Sequence, residues 1–88
     1  MRYSIKLSRA ASRALSELLP EGVAAAVWEF MTGPLTTNPQ RVGKPLRYEL
    51  EGLYAARRGE YRVVYQIRED QILIEIIDIE HRRDVYRR

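Results

Sequence analysis

Residues 46–67 read LRYELEGLYAARRGEYRVVYQI, and this stretch decides the fold. Gly52 and Gly59 each mark a turn between strands. Beyond Gly59 the side chains alternate. Tyr61, Val63, Tyr65 and Ile67 share one face of a strand, while Arg62, Val64, Gln66 and Arg68 share the other. The first set has the character of a core face. Arg62 therefore points away from the core within an otherwise apolar strand, close to the paired Arg57 and Arg58, and the question is what these cations face.

Beyond this stretch, EDQ (69–71) is a hairpin connection. ILIEIIDI (72–79) is rich in β-branched residues, as expected of a central strand covered on much of both faces. The tail EHRRDVYRR (80–88) is polar and basic, with Val85 and Tyr86 its only bulky apolar groups. Toward the N-terminus, LTTNPQRVGKPL (35–46) has no clear period and reads as an ordered loop carrying Arg41 and Lys44. RYSIKL (2–7) alternates like a half-buried strand. Ser8 then suits a helix N-cap, and Ala11, Ala14, Leu15 and Leu18 fall on one helical face until Pro20 interrupts. A second helix carries Val23, Ala26, Val27 and Phe30, with Gly33 and Pro34 as its stop signal. The order predicts an α+β fold: an N-terminal strand, a helical hairpin, then a mostly antiparallel sheet of four to five strands packed on the helices. The sheet face opposite the helices is left partly polar, and Arg62 projects onto it.

Composition narrows the chemistry. With 88 residues and 45% hydrophobic content, one small domain spanning 1–88 is expected. No stretch reaches the roughly 20 apolar residues of a membrane helix, and the first residues lack the apolar core of a signal peptide, so a soluble cytoplasmic protein is the expectation. The absence of cysteine and the single histidine argue against disulfides and zinc sites, and no metal or other cofactor is expected. The net charge of +3 is carried mainly by arginine, whose planar fork suits phosphate and carboxylate, so a phosphate-rich or acidic partner is favoured.

Two motifs carry a family resemblance. GKPLRYELEGLYAARRGEYRVVYQI (43–67) followed by EIIDIEHRRDVYRR (75–88) resembles the RelE branch of the RelE/ParE toxin superfamily, whose members share G-D/E-Y-R-V-V/I-Y and then H-R-x-x-V-Y. The resemblance implies a RelE-like fold and a type II toxin that cleaves messenger RNA in the ribosomal A site and so inhibits translation. It also implies a cognate antitoxin with an amphipathic helix, and ribosome and mRNA as targets; the free toxin is expected as a monomer. By position it implies catalytic roles for Arg57, Arg62, His81, Arg82 and Tyr86, with Arg41, Lys44, Arg58 and Arg83 as RNA- or ribosome-binding cations. Many relatives have a basic residue where this chain has Ala55, and either Lys44 or Arg58 compensates, or this protein cleaves more slowly than its relatives, or its target differs.

These roles agree with the chemistry that RNA cleavage through its own 2′-OH requires. Guanidinium groups suit the stabilisation of charge on phosphorus, where losing one donor costs roughly 100- to 1000-fold. His81, with an ordinary pKa of about 6.5, and Tyr86, of about 10, are the candidates for proton transfer, and the choice between them stays open. Each residue also has a structural reading. Arg62 would pair with Glu75 across the sheet, Arg57 and Arg58 would form a solvated surface, His81 would cap the last strand or pack on Tyr86, and Tyr86 would bury its ring. Lys44 would simply be an exposed loop lysine, and Trp28 reads as core or antitoxin surface. The alternative functions are a ParE-like gyrase poison acting by binding, or a catalytically weak ribosome- or RNA-binding protein.

Overall fold

The computed structural model describes residues 2–81. The expectations placed on Arg82, Arg83 and Tyr86 lie outside that range. Five strands form one sheet in the order β1-β5-β4-β3-β2. They are β1 (Ser4–Leu7), β2 (Lys44–Pro45), β3 (Tyr54–Arg58), β4 (Tyr61–Arg68) and β5 (Leu73–His81). β1 runs parallel to β5, and the other neighbours are antiparallel. β5 is an interior strand, as its apolar composition required.

Between β1 and β2 lie the helices. α1 (Arg9–Arg13) starts at Ser8, whose hydroxyl oxygen accepts from the Ala11 N–H at 3.0 Å. It continues as a π-helical segment, Ala14–Leu18. The wider turn rotates the later residues, so Leu18 is 64% exposed rather than on the buried face, and Leu19 packs on the core in its place. α2 (Glu21–Phe30) also runs on as a π-helical segment, Met31–Leu35, with Pro34 inside it. Gly33 and Pro34 therefore do not end the helix as expected. The segment read as a loop contains α3 (Pro39–Val42), with proline at its first turn where its missing N–H costs nothing, and then β2.

The helices cover one sheet face. Ala11, Ala14, Val27, Met31 and Leu35 meet Val63, Tyr65, Ile74, Ile76 and Ile79 in the core. The β3–β4 connection is the two-residue turn Gly59–Glu60, with positive φ at Gly59 only, the pattern of a type II′ turn whose twist matches the strands it joins.

Two local features set the geometry of the opposite face. The β4–β5 ladder pairs Val64 with Asp78 but Tyr65 with Ile76, so Ile77 is an extra residue and β5 bulges there. Two polar groups at and beside the bulge are held: the Ser8 hydroxyl donates to the Ile77 carbonyl at 2.6 Å, and the Ile79 N–H donates to Asp78 Oδ1 at 2.8 Å. Tyr65, fully buried, donates its hydroxyl to the Pro39 carbonyl at 2.6 Å and accepts from the Gly43 N–H. Gly43 is required here. A Cβ at that position would overlap the Tyr65 hydroxyl and come within 2.8 Å of the Ala55 carbonyl. This clamp fixes the approach of α3 and β2 to the sheet.

Candidate functional site

Strand alternation and register place Lys44, Ala55, Arg57 and Arg62 together on the face away from the helices. Lys44 pairs with Ala55 across β2 and β3, and Arg57 pairs with Arg62 across β3 and β4. Together with Val42 and Leu46 they line an open depression of about 500 Å³. Two like charges directly opposite on neighbouring strands repel one another, and a bound anion would relieve that repulsion. Ala55 leaves room in the floor, and Lys44 stands across from it. Of the two cations expected to compensate for Ala55, Lys44 has the position to do so.

Arg62 is 30% exposed, and Glu80 faces it from β5 with a side chain only 6% exposed. Glu80 Oε1 accepts from Arg62 Nη2 at 2.7 Å and from Nε at 3.2 Å. The structural reading of Arg62 had named the wrong carboxylate: Glu75 instead accepts from Arg68, at 2.8 Å from Nη2. Sequence reasoning missed Glu80 altogether. Its only signal was a carboxylate next to the basic tail, since its partner depends on the bulge.

The remaining cations are elsewhere. Arg58 pairs with Tyr61 and lines a separate groove of about 300 Å³ on the helix side, with Val23, Ala26 and Val27. Arg41 is exposed on α3. His81 pairs with Tyr61, on the helix side of the sheet, and its ring meets that tyrosine edge to face with centroids 5.0 Å apart. Its Nε2 lies 3.8 Å from Glu60 Oε2. His81 is thus not brought to the depression that holds Arg57 and Arg62. Trp28 is 46% exposed on α2, so it is not core. Burial and the neighbouring Tyr54 push the Tyr65 hydroxyl up to about 12, which keeps it neutral as a hydrogen-bond donor. Among the described residues no three His, Cys, Asp or Glu side chains gather as a metal site would need.

The sequence and the order of elements find counterparts in known proteins. A family model described as the ParE toxin of the type II toxin–antitoxin system parDE matches residues 5–86. The chain belongs to the RelE/ParE toxin family. Toxin RelE of Mycobacterium tuberculosis is 52% identical over 85 residues, covering 97% of this chain and 87% of that protein. Toxin RelG of the same organism is 46% identical over 88 residues, covering 100% of both. The toxin–antitoxin complex RelBE2 from M. tuberculosis contains a chain that matches with a TM-score of 0.88 and 43% identity, over 93% of this chain and 100% of that one. The archaeal RelE–RelB complex from Pyrococcus horikoshii contains another, with a TM-score of 0.71 and 27% identity over 93% and 97%. The toxin is therefore a type II toxin of the RelE branch, with the α+β fold of that branch.

Proposed function

We propose that this toxin cleaves messenger RNA in the ribosomal A site and so stops translation. The observation that carries the reading is the cationic depression in which Lys44, Arg57 and Arg62 converge on a space open to a phosphate. In the proposed step the 2′-oxygen bonds to the adjacent phosphorus and the bond from phosphorus to the 5′-oxygen breaks. The products are a 2′,3′-cyclic phosphate and a 5′-hydroxyl. One proton leaves the 2′-oxygen for a base and one reaches the 5′-oxygen from an acid, so no net charge is created and no metal is required. Arg62 and Arg57 would stabilise the charge that builds on the phosphoryl oxygens. Because His81 packs on Tyr61, we assign the proton transfers first to Tyr86, with Arg82 as a further cation at the phosphate. Arg41, Arg58 and Arg83 would hold ribosomal RNA by charge, in a cytoplasmic protein acting as one domain.

The solved RelBE2 and RelE–RelB complexes contain an antitoxin, and we extend that partner to this chain. An amphipathic helix would lay apolar side chains in the groove between α2 and the β3–β4 turn, with an acidic residue to meet Arg58 there.

The test is a defined mRNA incubated with purified toxin, alone and on ribosomes with an empty A site, with cleavage ends mapped by primer extension. Cuts that appear only with ribosomes and fall at least 100-fold in Arg62→Ala are expected. The position of His81 on the other face favours one second reading, gyrase binding, since binding alone needs only the basic surface. An intact message together with inhibited DNA supercoiling would select that reading.

A further inference from the structure

Glu80 has no part in the step just outlined, yet it is nearly buried beside its central arginine. The bulge puts it there. In the register that pairs Tyr65 with Ile76, an uninterrupted ladder would set Ile79 across from Arg62 and turn Glu80 toward the helices. The extra residue, Ile77, reverses this. Ile79 enters the core, and Glu80 stands directly across from Arg62 on the depression face. The arrangement is built from several elements. The Ser8 N-cap holds the bulge carbonyl and the Asp78 carboxylate holds the following N–H.

We infer that Glu80 is a positioning residue that holds the Arg62 guanidinium by its Nε–Nη2 edge and presents the Nη1–Nη2 end to a phosphate. This rests on the reading of the depression as a phosphate site. Of the five N–H donors of an arginine, two are spent on Glu80 Oε1, which leaves the far end of a planar fork with a fixed direction. A free arginine side chain has many rotamers, and a catalytic donor gains most when its direction is set before the reaction. The carboxylate also has an opposite effect, because its negative charge lowers the attraction of the site for RNA. Orientation and charge therefore act on different kinetic constants, and substitutions separate them.

The experiment compares the toxin with Glu80→Ala and Glu80→Gln in single-turnover cleavage on saturating ribosomes, together with ribosome affinity over a range of salt. Glu80→Ala releases Arg62, so the cleavage rate should fall about tenfold. Removing the charge should tighten binding and steepen the salt dependence by about one unit. Glu80→Gln keeps an oxygen acceptor without the charge, so it should recover most of the rate and retain the tighter binding. Rate would then follow the acceptor, and affinity the charge. A Glu80→Ala rate equal to that of the parent, with only a lower melting temperature, would make Glu80 a structural residue and overturn the inference. A faster Glu80→Ala would make it a brake and also overturn it. The Arg62 Nε–H resonance, assigned by its loss in Arg62→Lys, gives a readout that needs no cleavage. It should be slow to exchange in the parent and in Glu80→Gln and fast in Glu80→Ala, and equal exchange in all three would refute the hold. If the parent toxin does not cut RNA at all, the proposed function fails while this resonance still decides whether Glu80 orients Arg62.

Discussion

Replacing Tyr65 with phenylalanine tests how the site face is assembled. The Tyr65 hydroxyl sits between the Pro39 carbonyl, to which it donates at 2.6 Å, and the Gly43 N–H, from which it accepts. Its loss leaves both backbone groups without this partner beside a fully buried ring. The cost at neutral pH should be about 1–3 kcal/mol, a drop in melting temperature of about 5–20 °C for a chain of this size. A second part of the effect depends on pH. The folded phenol ionises only near a pH of about 12, whereas the unfolded one does so at 10.0. Below the unfolded value both states keep the proton and nothing changes with pH. Between the two values the unfolded chain loses its proton while the native chain keeps it, so stability falls as pH rises. The full difference of two pH units corresponds to about 3 kcal/mol. Urea unfolding from about pH 9 to about pH 12 measures it, with Tyr65→Phe as the control for the lysines and the other tyrosines. The stability difference between the two proteins should shrink toward high pH. Parallel curves would mean that Tyr65 ionises alike in both states, and the buried clamp would be refuted.

Three further outcomes follow from the same geometry. Ser8→Ala removes the α1 N-cap and the donor to the Ile77 bulge, and should cost about 2 kcal/mol with most of it restored by Ser8→Thr; a melting temperature within a degree or two of the parent would show that neither bond matters. Gly43→Ala should cost about 1–3 kcal/mol and weaken ribosome binding through displaced Lys44, because the new Cβ meets the Tyr65 hydroxyl and the Ala55 carbonyl; an unchanged denaturant midpoint would count against the clamp. Tyr48 is 88% exposed with φ of 60°, a left-handed conformation that costs a bulky residue about 1 kcal/mol, so Tyr48→Gly should raise the melting temperature by a few degrees, and a lower one would refute the strain.

The sequence by itself carried the order of elements, the Ser8 cap, the turn at Gly59 and the core residues Val63, Tyr65 and Ile67, while Tyr61 of the same face lies outside the core, in the groove beside Arg58. Each of these depends on local rules: side-chain alternation along a strand, a hydroxyl that reaches the first free N–H groups of a helix, and a backbone angle that glycine adopts without strain. The placement of Arg62 on the sheet face away from the helices was legible for the same reason. Local rules misjudged Leu18 and Pro34, since a π-helical segment changes the helical period and its presence depends on packing. The tertiary structure alone decided that Arg62 meets Glu80 and not Glu75, that Lys44 stands across from Ala55, and that Arg58 and His81 lie on the other face. All of these depend on which residues pair across strands. A single extra residue in β5 reverses the facing of everything beyond it, and no periodicity within one strand records where its neighbour slips by one.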